Sequence, residues 1–484
     1  MPRAADFPPM EMEPMSDIHQ SLEHKLSASG NTVELLRNLP VGSSVFPVVP
    51  SEFSNWRDEQ LAVRNAAVLL DQSHHMVSLF IEGPDALRLL SGLAVNSFAG
   101  FAVDKAKQLV VCNYDGMLIG DGILFHLAEN EYSYVGNPAA ANWIRFHADT
   151  GDYDVTIEVE DRSPSDLRNA NVSRRYYRYE IQGPLAKDVI EKLTGAPFPE
   201  IRLFNMGTVT VEGREVRALR HGMAGAPGLE LFGPYEDREQ IRLAILAAGE
   251  EFGLRQVGSR AYPTLALESA WMGWPLPAVY SGESMKAYRE WLPSSGYEGS
   301  FATLGGSFLS ENIEDYYVTP YELGYGAFIK FDHEFIGRDA LERMADQTHR
   351  RKVTLAWNRH DVAKVFASLF DPDTIPFKHI ELPRANYTSV SFDRVTLGDR
   401  TVGFSSSSGY THNERSMLSM AVIEADVPIG EEVVLLWGEE NGGTAKTSVE
   451  RHQQTTIRAI VSPAPYSKVA REDYANTGWR TAAR

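Results

Sequence analysis

The sequence is short of cysteine, of basic residues and of long apolar runs. Its single cysteine, Cys112, excludes an intrachain disulfide and any metal centre with several thiolate ligands. Lys and Arg number 46 against 65 Asp and Glu, and the resulting formal charge of −19 repels nucleic acid and anionic membranes. No run of 18 apolar residues occurs, and the N-terminus lacks the apolar segment of a signal peptide. We therefore expect a cytoplasmic protein with neither nucleic acid nor a membrane as a partner.

Common cofactor and catalytic motifs are absent as well. No G-x-G-x-x-G follows a predicted strand, and neither G-x-x-x-x-G-K-[ST], H-E-x-x-H nor G-x-S-x-G occurs. Flavin, nicotinamide, nucleoside triphosphate and zinc-peptidase functions thus lose their usual support. The adjacent His74 and His75 resemble a metal site, but neighbouring side chains on a strand point to opposite faces and cannot converge on one ion. We expect no metal.

An internal repeat is present in the first half of the chain. Residues 80–93 (FIEGPDALRLLSGL) predict a strand, a tight Gly-Pro turn and an amphipathic helix, and residues 180–193 (EIQGPLAKDVIEKL) repeat this pattern. Coincidence is the alternative, because strand-Gly-Pro-helix is a common arrangement. Five identities at one offset favour duplication. The sequence therefore predicts two related α+β lobes.

The residue pattern changes after Lys352, where short β-rich runs separated by turn residues predict a small barrel or sandwich. The predicted fold class is α+β with a C-terminal β-barrel-like domain. A long segment between the first two predicted strands is typical of a lid, an interface arm or an insertion. We predict a flexible N-terminal tail and lead-in over 1–45, a bilobal core over 46–350, a β domain over 351–465 with an insertion at 363–400, and a C-terminal tail over 466–484.

Several segments in order, from about residue 46 to 465, resemble one family. They include D-Q-S-H-H-M before V-S-L-F-I-E-G-P, H-G-M-A-G-A-P-G-L-E-L-F-G-P, V-G-S-R-A-Y-P and T-P-Y-E-L-G-Y-G. These resemble segments of the glycine cleavage T-protein (aminomethyltransferase) family. N-T-V-E-L-L-R-N and L-W-G-E-E-N-G-G-T are further similar to its tetrahydrofolate-dependent aromatic O-demethylases of the vanillate and syringate type. The resemblance implies a duplicated folate-binding core and tetrahydrofolate as the acceptor of a one-carbon unit.

The chemistry that this resemblance implies requires a hydrogen-bond donor. Aryl ethers are inert because an unassisted phenoxide leaves poorly, and a proton or strong hydrogen bond to the departing oxygen lowers that barrier. Tyr262 in R-A-Y-P matches a functional tyrosine of the aromatic demethylases, and His75 matches the family's substrate-side histidine; both are the predicted catalytic residues. Without the resemblance, each would more often be a buried structural residue.

Four residues are predicted to bind tetrahydrofolate. Strand alternation places Glu230 on the face opposite Leu229 and Leu231, where its carboxylate can accept two hydrogen bonds from the amino-pyrimidinone edge of a pterin. The resemblance assigns Gln72 a polar contact and Trp271 an aromatic wall, with core packing as the alternative for Trp271. Asp121 lies near the family's acidic position beside the folate, although an Asp between glycines is often only a turn residue.

Two departures from the vanillate-type pattern concern the substrate. Asn137 stands where those enzymes have an arginine that pairs with the substrate carboxylate, and Phe46 stands where they have a tyrosine. A buried carboxylate without a cation is costly, so these residues predict a neutral aromatic ether. An arginine from elsewhere would restore carboxylate binding, which keeps vanillate or syringate as an alternative.

The predicted function is tetrahydrofolate-dependent cleavage of an aryl ether. The transferred unit is either the methyl group of a methoxyphenyl compound or the methylene of a methylenedioxyphenyl compound such as a sesamin-like lignan, and the sequence does not separate the two. Two functions compete with this prediction, that of a true T-protein acting on an aminomethyl-lipoyl protein and that of a non-catalytic folate-binding protein. The sequence leaves the oligomeric state open.

Overall fold

The structure, a computed structural model, describes residues 20–40, 48–161, 174–222, 225–273, 275–385, 387, 390–446 and 448–474. Its helices are α1 Leu22–Ser29, α2 Thr32–Asn38, α3 Trp56–Asn65, α4 Ala86–Leu93, α5 Pro138–Thr150, α6 Ala186–Thr194, α7 Arg238–Gly249, α8 Leu265–Ser269, α9 Lys286–Trp291, α10 Arg338–Met344 and α11 Arg359–Ser368. None of the helices in these ranges is both long and apolar enough to span a membrane.

The strands form two sheets, a closed barrel and a short two-stranded ladder. They are β1 Val68–Asp71, β2 Val77–Glu82, β3 Ala106–Cys112, β4 Leu118–Ala128, β5 Glu131–Gly136, β6 Thr156–Asp161, β7 Tyr176–Gln182, β8 Met206–Val211, β9 Arg214–Leu219, β10 Gly228–Pro234, β11 Arg255–Gln256, β12 Leu304–Gly305, β13 Arg351–Trp357, β14 Val390–Ser391, β15 Asp393–Leu397, β16 Arg400–Thr411, β17 Ser416–Ile423, β18 Glu432–Trp437 and β19 Thr455–Ser462.

The two sheets confirm the predicted duplication. The first lobe has the strand order β3-β4-β5-β2-β6, and the second has β8-β9-β10-β7-β1 with β11 added at the edge. The two orders match strand for strand, with β1 of the second sheet in the place that β6 has in the first. The chain enters β1 in the second lobe before it builds the first lobe, and it returns to the second lobe through β7. This exchange of a strand joins the lobes through main-chain hydrogen bonds.

Each lobe contains the predicted Gly-Pro turn between a strand and a helix. Gly83 and Gly183 have φ angles of +140° and +130°, which residues with a side chain rarely adopt. A Cβ added to Gly83 would lie 2.3 Å from the carbonyl oxygen of Asp154, and one added to Gly183 would lie 2.5 Å from that of Ala66. Glycine is therefore required at both turns, because any side chain would collide with a main-chain carbonyl oxygen.

The helices after these turns bury the apolar stripe that the sequence predicts. In α4 this stripe is formed by buried Ala86, Leu89, Leu90 and Leu93. In α6 it is formed by buried Ala186, Val189 and Ile190. The periodicity of 3.6 residues therefore identifies the core-facing side of both helices.

The C-terminal region closes into a barrel of six strands in the order β13-β17-β16-β15-β18-β19, with β19 pairing back to β13. This confirms the predicted α+β class with a C-terminal β-barrel-like domain. The segment predicted as an insertion, 363–400, contains most of α11 and contributes β15 to the barrel wall. It is therefore part of the barrel's construction, because β15 links β16 to β18.

The chain ends also differ from the prediction where the structure describes them. Residues 20–40, predicted as part of a flexible lead-in, form α1 and α2, and Leu22 and Leu36 are fully buried. In the predicted C-terminal tail, Ser467 accepts a hydrogen bond from Arg64 at 2.9 Å and Ala470 is buried. Both segments pack because scattered apolar residues, too few to give a periodic signal, meet surfaces formed elsewhere in the chain.

Candidate active site

A cavity of about 430 Å³ lies between the two lobes. The first lobe contributes Gln108 from β3 and Asp121 from β4, and the second contributes Arg178 from β7 and Glu230 from β10. Gln72, Met76, His221, Trp271 and Phe328 from connecting segments also line it. The cavity therefore collects polar groups that are far apart in the sequence.

Strand alternation explains how the second lobe presents its polar groups. Leu229 and Leu231 of β10 pack into a core with helices α6 and α7, and Glu230 faces the other way. Glu230 lies directly opposite Glu180 of β7 in the strand register. Arg178, two residues before Glu180, is on the same face. The side of the sheet away from the helices is thus polar and charged.

Glu230 is buried and forms an ion pair with Arg178 through Oε1 and Nη2. The Arg178 guanidinium carbon lies 4.6 Å from the ring centre of Phe125, a cation–π contact that holds it beside the first lobe. Burial raises the pKa of Glu230, and the charge of Arg178 opposes that shift. The ion pair therefore favours the anionic form of Glu230, and burial opposes it.

A second buried carboxylate, that of Glu180, is held by amides. Gln72 donates to Glu180 Oε2, and Gln182 donates to Glu180 Oε1. Gln72, predicted as a folate contact, lines the cavity, and its amide nitrogen donates to Glu180. Glu180, which the sequence analysis did not single out, therefore orients the Gln72 amide.

Asp121 faces the cavity from the middle of β4 and is not a turn residue. Its Oδ2 accepts hydrogen bonds from Gln108 at 2.5 Å, Tyr325 at 2.8 Å and Trp271 at 3.2 Å. Its Oδ1 is buried and has no hydrogen-bond partner among the residues that the structure describes. Burial raises the pKa of Asp121, and the three donors oppose the shift. The site thus offers one free acceptor oxygen in fixed orientation.

The two predicted catalytic residues contact each other. Tyr262 begins a 3-10 turn that leads into α8, and His75 precedes β2; their ring centres are 4.7 Å apart in an edge-to-face arrangement. Burial, with smaller effects of Glu180 and Glu230, raises the pKa of Tyr262 well above 10. Burial, followed by the nearby Arg174, lowers the pKa of His75 to about 3. Neither residue is among those lining the cavity described above, so they form a neutral pair beside it.

His74 and His75 diverge, although not for the reason predicted. They lie in the connection between β1 and β2 instead of on a strand. The His74 ring approaches Tyr235 at 5.9 Å between ring centres, whereas His75 approaches Tyr262. Among the described residues, no three His, Cys, Asp or Glu side chains cluster in a way that could hold a metal ion.

Asn137, predicted as a substrate contact, lies at the start of α5. Its Oδ1 accepts a hydrogen bond from Ala139 N at 2.8 Å and so caps α5, and it is not among the residues lining the cavity. Its Nδ2 donates to the Gly273 carbonyl at 3.4 Å. Phe46, the other predicted substrate contact, lies outside the described residues.

Sequence reasoning missed Arg178, Glu180, Gln108 and Tyr325. For the first two a signal existed: alternation along R-Y-E-I-Q places residues 178, 180 and 182 on one face, as it did for Glu230. The Gln108 and Tyr325 contacts with Asp121 join residues 13 and 204 positions away. No local pattern predicts such contacts.

Comparison with known proteins adds three findings. Residues 43–276 match the family model described as the GCVT N-terminal domain. The chain is 46% identical to a syringate O-demethylase of Sphingobium sp. over 96% of the chain and 99% of the relative. It is 29% identical to a sesamin methylene transferase of Sinomonas sp. over 87% of the chain and 91% of that protein.

A solved structure shares the fold. The glycine cleavage system aminomethyltransferase T from Bartonella henselae superposes with a TM-score of 0.58 at 16% identity, over 88% of this chain and 95% of that one. The predicted duplicated core of the T-protein type is thereby confirmed as a fold.

Proposed function

The chain belongs to the glycine cleavage T-protein (aminomethyltransferase) family, and on that premise we propose that it cleaves aryl ethers and transfers their one-carbon unit to tetrahydrofolate. The observation that carries the proposal is the convergence of Asp121 and Glu230, one from each lobe, on a single cavity bordered by Trp271. Relatives named as a demethylase and a methylene transferase support the reaction class.

The cavity residues fit a reduced pterin. The Glu230 carboxylate is suited to the paired N–H donors of an amino-pyrimidinone edge, because two parallel hydrogen bonds match its two oxygens. Asp121 Oδ1, buried and without a partner among the described residues, is an acceptor for a folate N–H. The Trp271 indole, tethered to Asp121 at 3.2 Å, supplies an aromatic wall. Tetrahydrofolate supplies the nitrogen that accepts the one-carbon unit.

The Tyr262 and His75 pair serves the aromatic partner. When the carbon–oxygen bond breaks, its electron pair stays on the aryl oxygen, which becomes a phenoxide. Tyr262 keeps its proton at physiological pH, because burial raises its pKa, and so it can donate a hydrogen bond to that oxygen. His75 remains neutral and orients the tyrosine ring from 4.7 Å. Tyr262 thus lowers the barrier as a hydrogen-bond donor, and neither residue brings a competing charge.

Methyl and methylene transfer are the two forms of this reaction. The syringate relative favours transfer of a methyl group, and the sesamin relative favours a methylene. The charge of the substrate is a separate question. Asn137 caps a helix, while Arg178 brings a cation to the cavity wall from another strand. The acidic composition and the single cysteine favour a cytoplasmic location.

Product analysis tests the proposal directly. The purified protein is incubated anaerobically with tetrahydrofolate and, in turn, syringate, vanillate, guaiacol and sesamin, and both aromatic and folate products are identified. We expect a phenol or catechol as the aromatic product and 5-methyltetrahydrofolate or methylenetetrahydrofolate as the folate product. One folate product should form for each one-carbon unit that the aryl ether loses. Aromatic turnover that proceeds equally well without tetrahydrofolate, or no turnover of any aryl ether, would contradict the proposal.

A further inference from the structure

Arg178 is the one lysine or arginine among the described residues that line the cavity. Its side chain is 8% exposed, its Nη2 pairs with Glu230, and its Nε has no hydrogen-bond partner within the described part of the chain. Phe125 covers one face of the guanidinium. The cation is therefore held by one carboxylate and one ring, and part of its donor capacity is unused.

The proposed ligand and Arg178 would use the same carboxylate. A guanidinium and the amino-pyrimidinone edge of a pterin are both planar and both present parallel N–H donors. Glu230 has two oxygens on one plane, and the ion pair with Arg178 already engages one of them. A pterin edge that forms two parallel hydrogen bonds to Glu230 therefore competes with the guanidinium for the oxygen that Arg178 contacts.

We propose that Arg178 is a displaceable counter-ion, which neutralises Glu230 in the folate-free enzyme and is released toward the aromatic substrate when tetrahydrofolate takes that carboxylate. This inference rests on the proposed function. Because the pterin edge is neutral, the exchange leaves a buried cation without its partner, which is costly until another anion arrives. Folate binding thus prepares a site for an anion.

The surroundings of Arg178 point to the aromatic substrate as that anion. Its positive charge contributes to the low pKa of His75 and opposes the raised pKa of Tyr262, so it lies within electrostatic reach of both proposed substrate-side residues. A benzoate-type carboxylate matches a released guanidinium in geometry and charge. We therefore expect tetrahydrofolate and an aromatic carboxylate to bind cooperatively, each strengthening the other by the same factor.

The experiment measures tetrahydrofolate affinity by quenching of tryptophan fluorescence under anaerobic conditions. Titrations are made with tetrahydrofolate by itself, with gallate and with pyrogallol; the last two differ only in the carboxylate and carry no methyl group to transfer. For the natural protein we expect gallate to strengthen tetrahydrofolate binding by about five-fold or more, and pyrogallol to have little effect.

Variants of Arg178 test whether this residue causes the effect of gallate on tetrahydrofolate affinity. With Arg178→Gln we expect tetrahydrofolate alone to bind several-fold more tightly, because its competitor is gone, and the gallate effect to vanish. Arg178→Lys keeps the charge without the planar fork, so it retains the gallate effect and binds tetrahydrofolate alone more tightly. Arg175→Gln is the matched control, because Arg175 precedes Arg178 by three residues and pairs with Glu158 at 2.8 Å on the surface; it should behave as the natural protein.

The outcomes separate the inference from the proposed function. If the natural protein does not bind tetrahydrofolate, the proposed function fails. If it binds, but Arg178→Gln binds more weakly or keeps the gallate effect, Arg178 is a structural ion-pair partner and the inference is overturned. Should Arg178→Gln fail to fold, the Arg178→Lys comparison decides, and an unchanged tetrahydrofolate affinity in that variant would overturn the inference.

Discussion

At the scale of single residues, burial sets the protonation of the groups beside the cavity. It raises the pKa values of Tyr262, Asp121 and Glu230 and lowers that of His75 to about 3. Arg178 and the donors around Asp121 oppose the shifts of the two carboxyl groups. The site therefore has neutral groups on the proposed substrate side and supported carboxylates on the proposed folate side.

Tyr262→Phe tests this division. Removing the hydroxyl deletes the proposed donor to the leaving oxygen, so we expect kcat to fall by roughly 10²- to 10⁴-fold while tetrahydrofolate affinity changes little. Steady-state kinetics and folate titration measure the two effects. Tyr177→Phe is the control, because Tyr177 is buried in the second lobe and its hydroxyl has no partner among the described residues. Equal losses in both variants would argue against a role in the reaction.

At the scale of elements, the repeated turn makes a matched prediction in the two lobes. Gly83→Ala and Gly183→Ala each place a methyl group against a main-chain carbonyl at 2.3 and 2.5 Å, in addition to straining φ. We expect each to lower the free energy of unfolding by more than about 2 kcal/mol. Gly195→Ala, with φ of +65° and open space around its Cβ, should cost only about 1 kcal/mol. Urea denaturation compares the three, and equal effects would refute the steric explanation.

A buried glutamate between two helices makes a prediction about pH. Glu298 accepts hydrogen bonds from Asn142 of α5 at 3.1 and 3.0 Å and from Tyr288 of α9 at 3.2 Å, and burial raises its pKa to about 7. Between pH 4.5 and 7 the unfolded chain releases this proton and the folded chain keeps it. The contribution of Glu298 to stability is therefore present below that interval and lost as pH rises through it.

Glu298→Gln removes this titration while keeping the shape of the side chain. As pH rises from about 4.5 to about 7.5, the natural protein loses stability relative to the variant. We expect the stability difference to change by about 3 kcal/mol over this interval, because the pKa of Glu298 is about 7 in the folded chain instead of 4.5. Denaturation curves at several pH values measure the difference. A stability difference that does not change with pH would show that Glu298 titrates normally in the folded protein.

At the scale of the whole molecule, a buried junction connects the barrel to the core. Glu439, just after β18, accepts hydrogen bonds from Lys378 Nζ at 2.7 Å and from Gly306 N at 2.9 Å. Arg37 of α2 donates to the Gly306 carbonyl at 2.6 Å. Lys378 and Glu439 are both buried. The N-terminal helices, the core and the barrel therefore meet at one ion pair.

Lys378→Met tests how far this junction stabilises the molecule. The change leaves Glu439 as a buried charge without its cation, so we expect a loss of roughly 3–5 kcal/mol in the free energy of unfolding. Adding Glu439→Gln should recover part of the loss, because the unpaired charge disappears. Thermal and urea denaturation of both variants provide the comparison. A double variant less stable than the single one would mean that the charge of Glu439 is satisfied elsewhere.

The sequence by itself determined the features that depend on neighbours along the chain. The repeated strand-turn-helix, the buried faces of α4 and α6, the face on which Glu230 lies and the presence of a β-rich C-terminal domain all follow from local periodicity and turn chemistry. Asp121, for which the sequence left a turn position as the alternative, lies in β4 and faces the cavity.

Only the tertiary structure decided which of these faces meet. Alternation fixes the side of a strand on which Glu230 and Arg178 lie, but the long-range pairing of β7 with β10 makes them partners. The exchange of β1 into the second lobe, the capping of α5 by Asn137 and the packing of residues 20–40 depend in the same way on distant surfaces. The physical reason is that periodicity specifies a direction for each side chain, whereas its partner is set by the long-range packing of the whole chain.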